Sequence, residues 1–195
     1  MSAANRGRVL RAATRSFLHH GYRSSVDDIA RRAGVAKQTV YHHFPSKDAL
    51  FKEVATGLAA RALVELRDDA GELRASLIAF GLAYRRRVLG AEGLAMFRTL
   101  TAEVPRFRAL ARALYAGGAG KTARRLAQVL EAAMARAELR REDPRFAAEL
   151  FLGMLAGHER VRRLYGVGGA GANEKGRVTR IVDCFLRALT EGTAS

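Results

Sequence analysis

The chain has 195 residues, with 34 Lys plus Arg against 19 Asp plus Glu and a formal net charge of +15. That length is enough for one large domain, or a small domain joined to a larger one, with a core that needs neither disulfides nor metal. The excess of positive charge points to polyanionic partners, nucleic acid first and an anionic membrane second, while a single cysteine, Cys184, excludes an intramolecular disulfide framework.

No apolar run reaches the ~18 to 20 residues that a membrane-spanning helix needs. Residues 1–50 carry nine basic and three acidic residues and four of the five histidines, so the N-terminal quarter is the most basic part of the chain. Its first 26 residues are free of acids, as a transit peptide would be. They run on into a motif that needs them as a packing partner, so the expectation is an unprocessed, cytoplasmic chain. Cys184 reads as a small buried apolar residue in a reducing compartment.

Three prolines, no alternating β-type runs and an abundance of Ala, Leu and Arg predict an all-α fold of about nine helices. A first helix covers about residues 4–20, with Val9, Leu10, Ala13 and Phe17 on one face, and Gly21 closes it. Ser25 caps a second helix, with Asp27 and Asp28 at the positive end of its dipole. Gly34 ends that helix after two turns. A third helix begins near Ala36 and stops before Pro45, and Ser46 caps a fourth whose stripe is Leu50, Phe51, Val54 and Leu58.

Longer amphipathic helices follow. One carries Leu73, Leu77, Phe80, Tyr84 and Val88, another Phe97, Leu100 and Val104, and a third Leu126, Val129, Leu130 and Met134. Pro144 opens a helix to about Tyr165, and after a glycine-rich loop the last helix carries Val178, Ile181, Val182, Phe185 and Leu189. The spacing places a helix-turn-helix domain at residues 1–50 and a helical domain at 51–195, joined in or just after the fourth helix.

Two short helices meeting at a glycine, with Ile29, Ala30, Val35 and Val40 turned inward, describe a helix-turn-helix. At 100° per residue, Val40 and Phe44 share the inner face of the third helix, while Gln38, Tyr41 and His42 share the opposite one. Lys37 stands at the exposed N-terminal end, the part of a recognition helix that enters a major groove. Gln38 can pair with adenine, Lys37 with guanine or phosphate, and the Thr39 methyl with thymine. Tyr41, His42 and His43 suit phosphate, as do Ser25 and Lys47 at the starts of the second and fourth helices.

The same segment, RVLRAATRSFLHHGYRSSVDDIARRAGVAKQTVYHHFPSKDALFKEV, resembles the TetR family of bacterial transcriptional regulators across about residues 6 to 54. The marks are AA, F and GY around the first helix, DIA..AGV in the second, and VYHHFPSKDAL. Ala36 stands where that family often has a capping Ser or Thr, a loss of about 1 kcal/mol of capping, and Gln38 stands where it often has Gly. The resemblance implies Ser25, Lys37, Gln38, Thr39, Tyr41, His43 and Lys47 as DNA contacts.

Other signals that look like chemistry have plainer readings. Gly166, Gly168 and Gly171 spell G-x-G-x-x-G, yet no strand precedes them, so they read as a loop. Gly117 to Thr122, GGAGKT, ends like a phosphate-binding loop but reads as a helix break. The pairs His19–His20 and His42–His43 point about 100° apart on their helices, with no further ligand at the right spacing, so no metal is expected. No nucleophile, base and acid set is legible, and neither an enzyme nor a cofactor is expected.

The body reads as a dimerisation and sensing domain. Gly153 and Gly157 form a notch for a close helix, and Val178, Ile181, Val182, Phe185 and Leu189 an apolar stripe, which together suggest a dimer interface. The segments LAMFRTLTAEVPRFRALARALYAGG and AELRREDPRFAAELFLGMLAG resemble the AefR-like branch of the TetR family over about residues 94 to 157. That resemblance implies a homodimer with an apolar cavity for a small inducer. Phe80, Tyr84, Met96, Phe97, Leu100, Phe107, Tyr115, Met134, Phe151 and Met154 are its candidate lining, with Arg98, Glu103 and His158 to orient a polar end.

The expectation is a dimeric repressor that a small hydrophobic ligand releases from a palindromic operator. Two alternatives are a constitutive DNA-architectural protein without ligand response and a helical enzyme with a DNA-binding head.

Overall fold

The structure, a computed structural model, describes residues 3–61, 72–168 and 173–190. Among them are α1 (Ala3–His20), a 3-10 turn (Gly21–Arg23), α2 (Val26–Ala33), α3 (Lys37–His43), α4 (Lys47–Arg61), α5 (Leu73–Leu89), α6 (Ala91–Glu103), α7 (Arg108–Gly117), α8 (Ala119–Ala135), α9 (Pro144–Leu164) and α10 (Glu174–Thr190). No strand occurs among the described residues, so the fold is all-α as the composition predicts. No described helix is long and apolar enough to cross a membrane. The break expected at Gly117 to Thr122 falls between α7 and α8. Gly166 and Gly168 follow α9 with positive φ, and Gly171 lies outside the described residues.

The chain divides into two compact units. The first combines the chain up to Arg61 with Ala95–Gly117, and the second holds the remaining described residues. In the first unit, α1 packs against α2 and α4, α2 against α3, and α4 against α7. Its core is Val9, Ala12, Ala13, Phe17, Ile29, Val40, Phe44, Leu50, Phe51 and Val54. Four side chains from the later segment, Phe107, Met96, Leu100 and Leu110, join this same cluster. The Phe51 ring stands 5.2 Å from Phe17, 5.3 Å from Tyr22 and 5.3 Å from Phe107. Thr99 of α6 donates a 3.0 Å hydrogen bond to the Phe17 carbonyl, which fastens the later segment to α1.

In the second unit α8 lies along α9, and α5 packs against both α9 and α10. Gly81 allows that approach, because a Cβ there would sit 2.8 Å from Val178 and 3.0 Å from Leu155. Arg85 is 1% exposed and holds the three helices together. Its guanidinium donates to the Leu155 carbonyl, to Glu159 at 2.7 Å and to Glu174 at 2.6 Å. Arg163 adds a 3.0 Å bond to Glu159 and another to the Leu89 carbonyl. Burial pushes the Glu159 carboxyl up, but the guanidinium groups of Arg85 and Arg163 outweigh it and hold the carboxyl below its ordinary value.

Several sequence expectations for the body need correction here. Val178, Val182, Phe185 and Leu189 are at most 2% exposed. They pack in the core with Leu77, Phe80, Leu126, Leu130 and Phe151, so these four are occupied inside the chain, while Ile181 packs against that cluster and is half-buried. Cys184 is exposed rather than buried, because it sits on the side of α10 that Val178, Val182 and Phe185 leave outward. Gly153 and Gly157 do lie open, with nothing within 4 Å of a built Cβ.

The candidate pocket residues divide. Phe80, Tyr84, Met134 and Phe151 belong to the core of the second unit, where the Phe151 and Phe185 rings are 4.7 Å apart. Met96, Leu100 and Phe107 belong to the core of the first. Phe97, Tyr115 and Met154 are exposed, as are Arg98 and His158, with Glu103 half-buried.

Candidate nucleic-acid interface

The second helix starts where the sequence places it. Ser25 is extended, and its hydroxyl accepts a 3.0 Å hydrogen bond from the Asp28 amide, which satisfies one of the free donors of the first turn. Gly34 ends the helix in the left-handed region, at φ 63 and ψ 41, where a Cβ would strain the backbone. Its amide returns to the Ala30 and Arg31 carbonyls. The chain then enters α3 through Ala36, which adopts cap geometry at φ −69 and ψ 150 but offers no side-chain hydrogen bond. The opening turn of the recognition helix therefore relies on its backbone alone.

Within α3 only Val40 is buried, and Phe44 just beyond is buried too. Gln38, Tyr41 and His42 are exposed and Thr39 is half-buried. This outward set is held on a rigid two-helix frame, as a groove reader requires. His43 is half-buried, and its Nε2 is shielded from solvent with no hydrogen-bond partner, so that atom does not point at an approaching backbone. Arg6 lies over the Phe44 ring at 5.3 Å and pairs with Glu53 at 2.6 Å, bracing the end of α3 against α4.

Both charged candidates are engaged. Lys37 reaches across the turn to Asp27 at 3.0 Å, and that bond raises the ammonium above its ordinary value. Lys47 lies 4.3 Å above the Tyr22 ring. Arg106, from the turn before α7, also lies 4.3 Å from that ring and pairs with Asp48 at 3.1 Å. The Tyr22 hydroxyl donates to Asp48. Burial first, and then that carboxylate, push the Tyr22 phenol up to about 12. The Tyr22 hydrogen bond in turn holds the Asp48 carboxyl below its ordinary range. Ser46 caps α4 by accepting from the Ala49 amide at 3.1 Å.

The features that sequence reasoning missed are Asp27 as the partner of Lys37, and Thr99, Arg106 and Phe107 as supports of the head. The first was legible as an acid one helix away from a lysine. The other three carried no local signal. The ring pairs His19–His20 and His42–His43 stand 6.0 and 5.3 Å apart, and no group of three or more His, Cys, Asp or Glu among the described residues could hold a metal ion.

Comparison with known families matches this geometry to two regions. The model described as bacterial regulatory proteins of the tetR family covers residues 9–54, and that of the AefR-like transcriptional repressor C-terminal domain covers residues 75–190. The chain belongs to the TetR family. Among solved TetR-like structures, the flavonoid-responsive regulator FrrA is 32% identical over 98% of this chain and 100% of its own, with a TM-score of 0.77.

YhgD, an HTH-type transcriptional regulator of Bacillus subtilis, is 38% identical over 73 residues, 37% of this chain and 36% of that protein. FasR, an HTH-type transcriptional activator of Mycolicibacterium smegmatis, is 38% identical over 84 residues, 38% of each. The match thus spans little more than a third of these two relatives. As a TetR-family member the chain is a helix-turn-helix transcriptional regulator, with α2 and α3 as its motif.

Proposed function

We propose that the chain is a homodimeric repressor that binds a palindromic operator and leaves it when a small hydrophobic ligand occupies the body. DNA reading is assigned to residues 1–50, and sensing and dimerisation to residues 51–195. The observation that carries the reading is α3 itself, which turns Lys37, Gln38, Thr39, Tyr41 and His42 outward while Val40 anchors it. Gln38 and Thr39 read base edges with Lys37, and Ser25, Tyr41 and Lys47 hold phosphates. His43 joins them only through its other ring nitrogen.

The dimer face is assigned to the outer side of α9 rather than to the stripe of α10. Phe146, Leu150, Met154 and Val161 are each 36–53% exposed, and the open Gly153 and Gly157 lie among them, so a partner helix could approach closely. Beside this face, Met154, Thr179, Ile181 and Cys184 line an open groove of about 900 Å³. Two heads held about one helical turn apart, roughly 34 Å, would meet successive major grooves. A coupling of about 1 to 3 kcal/mol between ligand and DNA would switch occupancy.

The matched AefR-like repressor body favours repression, and FrrA, named for its response to flavonoids, favours an aromatic ligand; FasR, named an activator, marks the other direction. The reading assigns no metal, cofactor or catalytic step to the chain and places it in the cytoplasm.

Binding sites selected from random duplex DNA, followed by titration of variants, test this. Gln38→Ala should flatten preference at one base pair, by a factor equivalent to about 1–3 kcal/mol. Lys47→Ala should weaken all sequences alike and reduce the salt slope by about 1. If neither change alters binding, α3 and α4 do not form the reading surface. A screen for compounds that release the selected duplex tests the ligand response.

A further inference from the structure

The reading face carries an acid. Asp27 lies in the first turn of α2, and its Oδ2 lies 3.0 Å from the Lys37 Nζ, with the two side chains 67% and 50% exposed. Its neighbour Asp28 is committed elsewhere, accepting from Ser25 and pairing with Arg31. Asp27 therefore has Lys37 as its partner across the turn of the motif. A carboxylate at this place repels phosphate, so it weakens general DNA binding, in a chain whose +15 charge otherwise favours it.

A lysine ammonium has three donors on a flexible four-carbon stem, and a free lysine on a DNA-facing surface swings to the nearest phosphate. With one donor fixed on Asp27, the stem of Lys37 is held near the start of α3, and two donors remain for acceptors in front of the helix. Guanine presents two such acceptors, O6 and N7, on its major-groove edge. A guanine contact can be made without breaking the Asp27 bond, whereas a swing to phosphate must break it and leave the carboxylate unpaired beside the DNA backbone.

We propose that Asp27 is a specificity-determining positioning residue: through its bond to Lys37 it keeps that lysine on a base edge and off the phosphates. The proposal rests on the assignment of α3 as the recognition helix.

The test uses the full chain, an operator selected by the wild-type protein, its single-base-pair variants and a random duplex. Asp27→Asn keeps the shape of the side chain and removes its charge. The random duplex should then bind about two- to five-fold more tightly at low salt, and its salt slope should steepen by about one phosphate contact. Discrimination at one G·C pair should fall by about five-fold or more.

In a Lys37→Met background, Asp27→Asn should still tighten the random duplex, because the repulsion of phosphate is lost, but should leave the preference at that pair unchanged. If Asp27→Asn still lowers discrimination at that pair without Lys37, the carboxylate does not act through the lysine and the proposal is overturned. An equal shift for all duplexes, with base preference intact, overturns it as well. Failure of the underlying assignment looks different: the wild-type protein selects no operator, or Lys37→Met and Gln38→Ala bind every duplex as wild type does.

Discussion

Truncation of Phe107 to alanine tests whether the DNA-reading unit depends on residues far along the chain. The ring lies 5.3 Å from Phe51 and 5.5 Å from Tyr22, in the cluster that also holds Phe17 and Leu50. Removing a buried phenylalanine side chain costs about 3–5 kcal/mol. A residual exposure of 9%, and a position in a turn where the backbone can settle, put Phe107→Ala near the lower end, about 3 kcal/mol. That corresponds to roughly a hundredfold change in a local opening equilibrium.

Hydrogen exchange read by peptide mass spectrometry separates the two units. Amides of α1 and α4 should lose about that much protection, while those of α9 and α10 keep theirs. Loss of less than tenfold, or an equal loss in both units, would show that the cluster does not support the head.

Ala36→Ser supplies the missing cap of α3 and should stabilise the head by about 1 kcal/mol, raising the urea midpoint without changing which duplex is selected. Arg85→Ala leaves Glu159 and Glu174 short of a buried partner and should cost about 3 kcal/mol in the second unit, seen as a lower thermal midpoint with α1 protection unchanged. The pH dependence has two limbs. Because Glu159 is held below its ordinary 4.5, its contribution is present above that pH and is lost as pH falls through the lowered value. Tyr22 is raised from 10.0 to about 12, so its contribution is full below pH 10.0 and is lost as pH rises toward 12. Tyr22→Phe should shrink the alkaline limb, to which Lys37 also contributes, and Glu159→Gln the acidic one, to which Asp48 also contributes, in midpoints measured across pH.

The helix-turn-helix was legible because its determinants are local. Ser25, Gly34, Ser46 and the spacing of Ile29, Val40 and Phe44 each act within a few residues of where they stand. The outward set on α3 follows from a single helical period. Other parts were not legible, for identifiable reasons. A period of apolar residues on α10 says that one face is covered, but not whether the chain itself or a second copy covers it; Val178, Val182 and Phe185 turn out to be covered from within. Bulk and aromaticity could not separate Phe80, a core residue, from Tyr115, which is 62% exposed. The contacts of Thr99 and Phe107 with α1 and α4 join residues some fifty to eighty positions apart, as the separation of 82 between Thr99 and Phe17 illustrates; no pattern within one helix encodes them.

The union of Ala95–Gly117 with the N-terminal helices in one compact unit bears on how such regulators can be recombined. A hybrid made by cutting after the fourth helix would give the new body a head whose inner surface had been shaped for Met96, Leu100 and Phe107. The compact unit is two separate stretches of chain, and a graft that carries only the first leaves its core without Met96, Leu100 and Phe107.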